Sequence, residues 1–451
     1  MAQNLIASSE YQVVVGLGVT GLSCARHLYR QGTSFSVVDT RSQPPGLETL
    51  RREMPDVPVY AGEYSQELIA SASELIVSPG IALEEPLVAD AMKAGVSVVG
   101  DIDLFVRQAK APIIGITGSN AKSTVTELVG DMARRANLNV GVGGNLGTPA
   151  LDLLDEAREL YVLELSSFQL ERAGKLGLAV ATVLNVSADH LDRHGSMPRY
   201  HQAKHKIFRG CAKAVAHSDD PLSVPLLEDS VPVVSWRLGE PALNGFGLRM
   251  DQGVECLSHG FDLLMPVTEI AMAGRHNVAN ALAALALGDA VGLPRDAMLT
   301  ALREFVGLPH RCEQVAQIDG IRFVNDSKGT NIGATNAALD GLGGEQDTVL
   351  IAGGQGKGAD FRQLRGPVQK HCKHLVLIGE DAAEIESALA DVVTVTRADS
   401  LSQAVSLAFQ NASAGDTVLL SPACASFDMF SGYVARGDAF VAAVRELGGD
   451  V

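Results

Sequence analysis

The sequence lacks the marks of several large function classes. Its six cysteines, Cys24, Cys211, Cys256, Cys312, Cys372 and Cys424, lie far apart with no C-x-x-C pair, which argues against a zinc knuckle or a disulfide framework and fits reduced core residues. No stretch reaches the roughly 18 apolar residues of a membrane span, so membrane insertion is not expected. The opening MAQNLIASSEYQVVVG has no basic start followed by a long apolar run, and the cytoplasm is the expected compartment. Positive charge is in short supply. Lys and Arg number 36 against 53 Asp and Glu, a formal charge of −17, and such a field repels nucleic acid and anionic membranes alike. An anionic ligand must then be captured in a local cationic cleft.

What is present describes a globular protein of several domains. A chain of 451 residues, 46% hydrophobic and 20% charged, divides into two to four domains at ~100 to 200 residues each. No tandem repeat or low-complexity segment appears. One signal does recur three times: a β-branched run, a glycine turn and an amphipathic stretch, in YQVVVGLGVTGLSCARHL, APIIGITGSNAKSTVTELV and DTVLIAGGQGKGADFRQL. Further strand candidates, FSVVD, ELIVS, VSVVG, YVLEL, VATVLN, HLVLIG and DTVLLS, alternate with helical patterns as parallel sheets require. The expected fold class is α/β, with three α/β domains that each carry a largely parallel sheet: a Rossmann-like domain over 1–101, a phosphate-loop domain over 102–307 and a second Rossmann-like domain over 308–451.

The first turn, GLGVTG, fits G-x-G-x-x-G with Gly16, Gly18 and Gly21, and Asp39 follows 18 residues after the last glycine. That spacing suits a pyrophosphate at a helix N-terminus and a carboxylate near a ribose. A plain tight turn fits it equally well. Asp39-Thr40-Arg41 and the SPG at 78–80 favour a phosphate-bearing nucleotide.

The second turn is more specific. GSNAKST sets Gly118, Ser119, Asn120 and Ala121 before Lys122, Ser123 and Thr124, a phosphate loop in which the lysine faces β- and γ-phosphates and a hydroxyl meets Mg²⁺. Ala121 stands where such loops carry glycine, and a Cβ there is tolerated if φ is negative, which is the expectation. Downstream, Glu164 falls inside an apolar strand, costly for a carboxylate without a partner. NVSADHLDRH brings Asn185, Asp189, His190 and Asp192 to the sheet edge where α/β proteins bind ligands. In RYHQAKHKIFRG a helix places Tyr200, Ala203, Ile207 and Phe208 on one apolar stripe with Lys204 near its centre, directed inward.

Together, GITGSNAKST, ELSSFQLE, NVSADHLDRH, YHQAKHKIF, GRHNVANALAAL, LPHRCE, NDSKGTN, GGQGKGADF and SPACASFDMF resemble the Mur ligase family over essentially the whole chain, most closely its branch that joins D-glutamate to UDP-N-acetylmuramoyl-L-alanine. The resemblance implies ATP-dependent amide formation through an acyl phosphate, two Mg²⁺ ions, a CO₂-derived carbamate on Lys204, and a monomer. It implies that Lys122, His190, Lys204 and Lys328 are catalytic, and that Ser123, Glu164, His190 and Lys204 hold metal. ATP would also meet the loop 118–124, Asn277, Asn280, Arg311 and Asp326. The uridine diphosphate substrate would meet Gly18, Val19, Thr20, Asp39, Thr40, Arg41, Ser78, Gly80 and Asn145, and D-glutamate would meet Thr330, Lys357, Ser426, Phe427 and Tyr433. Ala121 is the one clear departure from the family pattern. Competing readings are a folylpolyglutamate synthetase, a nicotinamide oxidoreductase and a non-catalytic nucleotide switch.

Overall fold

A computed structural model describes residues 11–62 and 66–448; most of the opening segment examined for a targeting signal lies outside them. Three sheets succeed one another along the chain. In the first, Gln12–Val15 lies between Phe35–Asp39 and Glu74–Val77, with Val59–Ala61 and Ser97–Val99 at the edges, all parallel. The strand order reverses between Gln12–Val15 and Glu74–Val77. At such a switch point the chain leaves two adjacent strand ends in opposite directions and opens a crevice, here between Gly16–Gly18 and Ser78–Ile81. Gly21 is required by packing, since a Cβ there would lie 1.8 Å from the Gly16 carbonyl oxygen.

The second sheet has nine strands. Ile113–Thr117 lies between Leu160–Glu164 and Val180–Val183, all parallel, so three neighbouring strands end on the same edge. Their side chains are buried throughout, as a parallel sheet covered on both faces demands. The far side departs from the expected pattern: Phe246–Asp251, Val254–His259 and Asp262–Pro266 form an antiparallel meander that was not among the strand candidates. Its signal was the turns at Gly253 and Gly260, both with positive φ.

The third sheet opens with an antiparallel hairpin, Glu313–Ile318 and Ile321–Asn325, also absent from the candidates, and continues with four parallel strands. Its helix Ile332–Leu342 packs against Arg275–Ala290 of the second unit. The first two units share one continuous apolar cluster, in which Phe105 meets Tyr161 edge to face at 5.0 Å.

Candidate active site

The three parallel strand ends of the second sheet build the centre of the site. From the first comes the loop 118–121, held on the neighbouring strand's exit: Ser119 N–H donates to the Asn185 carbonyl, and Asn120 N–H to Asn185 Oδ1 at 2.9 Å. The expectation for Ala121 is overturned. Its φ is +66° with ψ −3°, a left-handed residue at the N-cap of helix Lys122–Arg135, where a Cβ crowds the backbone and glycine is favoured. The loop keeps its shape because the bonds from Asn185 fix it on one side and the helix on the other.

Glu164 ends the second strand and is 3% exposed. Ser123 Oγ donates to its Oε2 at 2.5 Å and Asn145 Nδ2 to its Oε1 at 2.6 Å, while Arg311, from the chain's third unit, donates to Ser123 Oγ. Burial pushes the carboxyl up, but the Lys122 charge, the two hydrogen bonds and Arg311 outweigh it and hold Glu164 below the usual range. Lys122 Nζ donates to the carbonyls of Gly118 and Ser119.

The third strand delivers Asp189 and His190. Asp189 accepts from Asn331 Nδ2 at 3.1 Å and pairs with Lys357 at 3.3 Å, both from the third unit. Burial raises its carboxyl, and His190, Lys357 and Lys122 bring it net below the ordinary value. His190 sits against the Phe168 ring at 4.9 Å, and burial lowers its pKa against the pull of Asp189. Asp192 does not join them; it is exposed on the turn Leu191–His194.

Lys204 lies on helix Met197–His205, which gives way to a 3₁₀ turn at Lys206–Phe208 rather than running on. It is 1% exposed, with Nζ donating to the Gly118 carbonyl at 2.7 Å and standing 4.5 Å from the Tyr200 ring centroid. Burial, with Lys122 beside it, drives its pKa well below that of an ordinary lysine.

These groups line one cavity of about 260 Å³ that Lys328, Thr330 and Arg311 complete from the third unit. Among the described residues no three His, Cys, Asp or Glu side chains gather as a ready metal cluster. The hydroxyl and carboxylate of Ser123 and Glu164 are hard oxygen donors, and Mg²⁺ takes one or two such ligands and fills the rest of its shell with phosphate and water. The residues therefore fit that ion.

A second cavity of about 220 Å³ adjoins the loop and is lined by Asn277, Asn280, Asp326, Arg311 and Lys328, with the stacked rings of His217 and Trp236 on its wall. Asp326 is pushed up to about 6 by burial, against the Ser421 hydroxyl and Arg311. Lys328 is lowered to about 8 by burial and by Arg311, and its Nζ stands 3.8 Å from the Tyr433 ring centroid.

In the first unit, Asp39 accepts Leu17 N–H, Arg41 N–H and both arms of the Arg41 side chain, so it organises the turn around Gly16–Gly18. Gly18 caps helix Val19–Arg30, Ser78 Oγ donates to the Gly16 carbonyl, and Val19, Thr40, Arg41 and Gly80 are exposed along that rim. Asn145 stands apart from this set, beside Glu164. Of the third-unit residues, Thr330 and Lys357 border a recess with Asp189 and His190, whereas Ser426 is buried and is not part of its lining, and Phe427 is 70% exposed. No role was expected for Asn331, which from the third unit donates to both Asn120 and Asp189 of the second; its cue was its place in NDSKGTN.

Three sequence profiles cover most of the chain: the Mur ligase MurD-like N-terminal domain at 10–100, the Mur ligase middle domain at 116–288 and the Mur ligase glutamate ligase domain at 310–424. The chain belongs to the Mur ligase family. The UDP-N-acetylmuramoylalanine–D-glutamate ligases of Pseudomonas syringae and Pseudomonas aeruginosa are 55% and 54% identical to this Mur ligase over 98% of its length and all of theirs. Among solved structures, the pseudomurein peptide ligase type C of Methanothermus fervidus has a TM-score of 0.63 at 17% identity, covering 97% of this chain and all of that one. The UDP-N-acetylmuramate–alanine ligase of Thermotoga maritima has a TM-score of 0.58 at 19%, covering 97% and 99%. These two share the three-domain Mur ligase fold.

Proposed function

We propose that the cavity around Lys122, Glu164, His190 and Lys204 is where this enzyme, an ATP-dependent ligase of peptidoglycan precursor synthesis, joins D-glutamate to UDP-N-acetylmuramoyl-L-alanine. The observation that carries the reading is the meeting of a phosphate loop, a buried carboxylate–hydroxyl pair and cations from two units around one cavity, in a chain full-length identical at 55% to ligases of that name. A nicotinamide oxidoreductase leaves that set without a purpose. The N-terminal profile match sets the chain apart from a folylpolyglutamate synthetase.

The chemical difficulty is to bring a carboxylate against a triphosphate, since two anions repel. The alanine carboxylate takes the γ-phosphoryl group of ATP with release of ADP, the neutral amine of D-glutamate attacks the acyl phosphate, and the tetrahedral intermediate loses a proton from nitrogen and expels phosphate to leave an amide. Lys122 and Lys328 offset the phosphate charge, and Asn277 and Asn280 meet the adenine. Bound Mg²⁺ supplies charge neutralisation at the transferring phosphoryl. Ser123 with Glu164 would hold one ion, and His190 with Lys204 the second, Lys204 as a carbamate. Burial favours the neutral amine of Lys204, the form that reacts with CO₂. The crevice of the first sheet takes the uridine diphosphate, and Asn145 faces the muramoyl-alanine end. Lys357, with Thr330, Ser426, Phe427 and Tyr433, receives the carboxylates of D-glutamate. The enzyme works in the cytoplasm as a monomer.

The test is phosphate release with UDP-N-acetylmuramoyl-L-alanine, ATP and each glutamate enantiomer. Release with the D form alone is expected. No release, as from a nucleotide switch, or equal release with both enantiomers, overturns the reading.

A further inference from the structure

Arg172 ends the short helix Ser167–Arg172, and its side chain is fully buried. A guanidinium has five N–H donors, and here five backbone carbonyls receive them. Nε donates to Phe168 of its own helix at 3.0 Å; Nη1 donates to Val77 and Ser78 at 3.0 and 2.8 Å; Nη2 donates to Pro79 and Ile81 at 3.2 and 2.9 Å. Three of the five acceptors thus belong to the loop Ser78–Ile81 that forms one wall of the crevice in the first sheet, and a fourth, Val77, ends the strand that leads into it.

That loop also has bonds of its own. Ser78 N–H donates to the Val15 carbonyl, Ser78 Oγ to Gly16, and Ile81 N–H to Ser78, all within the first unit. What Arg172 adds is attachment to the second unit, alongside Arg193, whose Nη2 donates to the Ile81 carbonyl at 3.1 Å, and the helix of Arg172 starts three residues after Glu164. Ser166 caps that helix, Ser167 Oγ lies 3.0 Å from His194 Nε2, and Phe168 packs on His190. One rigid turn of helix therefore has Glu164 and His190 at one end and the crevice wall at the other.

We infer that Arg172 is a positioning residue that sets the crevice of the first unit in register with the cavity of the second, so that a sugar nucleotide spanning both is seated at both ends. The inference rests on the sugar-nucleotide reading of that crevice. A displacement of ~1 Å between binding end and reacting end is enough to lower the rate by ~10²-fold. UDP alone touches only the first unit, and ATP is held by the second and third, so neither spans the joint.

The experiment compares wild type, Arg172→Lys and Gly100→Ala. A Cβ at Gly100 would come 2.9 Å from Arg172 Cγ, so that variant shifts the arginine without removing it. Wild type must first be inhibited by UDP and turn over UDP-N-acetylmuramoyl-L-alanine; if it does neither, the functional reading fails rather than this inference. Given that, Arg172→Lys raises the KM for the full substrate by ~10-fold or more and Gly100→Ala by ~3-fold, while the UDP inhibition constant and the KM for ATP stay within ~3-fold. An unchanged KM in both variants overturns the inference, as does an equal loss for UDP, ATP and substrate. Insolubility of both variants would assign the contact to folding and overturn it too.

Discussion

Ala121 carries a strain that the sequence could not reveal. A left-handed alanine costs on the order of 1 kcal/mol relative to glycine, and its φ of +66° places it in that region. Ala121→Gly should raise the melting temperature by about 2 °C and leave the KM for ATP within a few-fold. Ala121→Val, whose branched Cβ is excluded there, should lower it and raise that KM by roughly tenfold or more. Side-chain positions were more legible: Glu164 and Lys204 stand out as charges inside apolar periodicities, and both are buried. Lys204→Arg, permanently charged and unable to form a carbamate, should abolish ligation without unfolding the protein, and Lys204→Ala should regain part of its rate with high formate. Near-normal turnover of Lys204→Arg would rule the carbamate out. Lys328 supplies a pH test. Burial lowers its pKa to about 8, so the ammonium is present below that value and lost above it, and kcat/KM should fall on the alkaline side with an apparent pKa near 8. Lys328→Arg should flatten that limb whatever its plateau.

Among elements, the parallel strands were readable because a strand buried on both faces writes a continuous β-branched run, and a glycine turn marks its end. The antiparallel strands from 246 to 266 are buried over only part of their length, as in Phe246–Asp251, where Phe246, Gly247 and Leu248 are covered and Met250 and Asp251 are exposed, and short mixed stretches of that kind merge with loops in sequence. In the hairpin at 313–325 the edge strand Glu313–Ile318 buries only Ala316, which leaves the same weak pattern. Helix Tyr433–Glu446 carries two features that no pattern announces. Arg436, 1% exposed, donates to the Ser327 and Cys424 carbonyls and to Ser327 Oγ, holding the segments that precede Lys328 and Ser426. Gly437 leaves room for His310, whose Nδ1 would lie 2.2 Å from a Cβ. Gly437→Ala should therefore destabilise by about 1 to 3 kcal/mol. Arg436→Met, which leaves buried carbonyls unpaired, should destabilise by more. In soluble Arg436→Met protein the KM for D-glutamate should rise further than that for ATP.

At the scale of the whole molecule the three units could be counted from three glycine turns, but how they meet could not, because contacts between units leave no periodicity. Arg311, Asp326, Lys328 and Lys357 line cavities shared with the second unit, and in the function proposed above they meet ligands held there, so substrate entry and product release would need the third unit to move. His276 stands at that joint. It lies in the first turn of helix Arg275–Ala290, with the backbone of Ala337 in helix Ile332–Leu342 near enough to favour its charged form, and its Nδ1 occupies space that a Cβ on Gly341 would fill, 2.2 Å away. Burial lowers its pKa to about 4, against the Ala337 backbone that raises it, so the docked state takes the ring neutral. Released, the ring titrates near 6.5. The docking free energy is then fully present above pH 6.5 and is lost progressively as pH falls from 6.5 to 4, by at most about 3 kcal/mol at 1.36 kcal/mol per unit. With an ATP analogue and UDP-N-acetylmuramoyl-L-alanine bound, the radius of gyration from solution scattering should be constant above pH 6.5 and grow on acidification to pH 5. His276→Gln should remove most of that growth, and Gly341→Ala should produce the expanded form at pH 7.5. A His276→Gln protein that expands over the same pH interval as wild type would assign the transition to other groups, and a radius of gyration indifferent to ligands at every pH would count against a moving third unit.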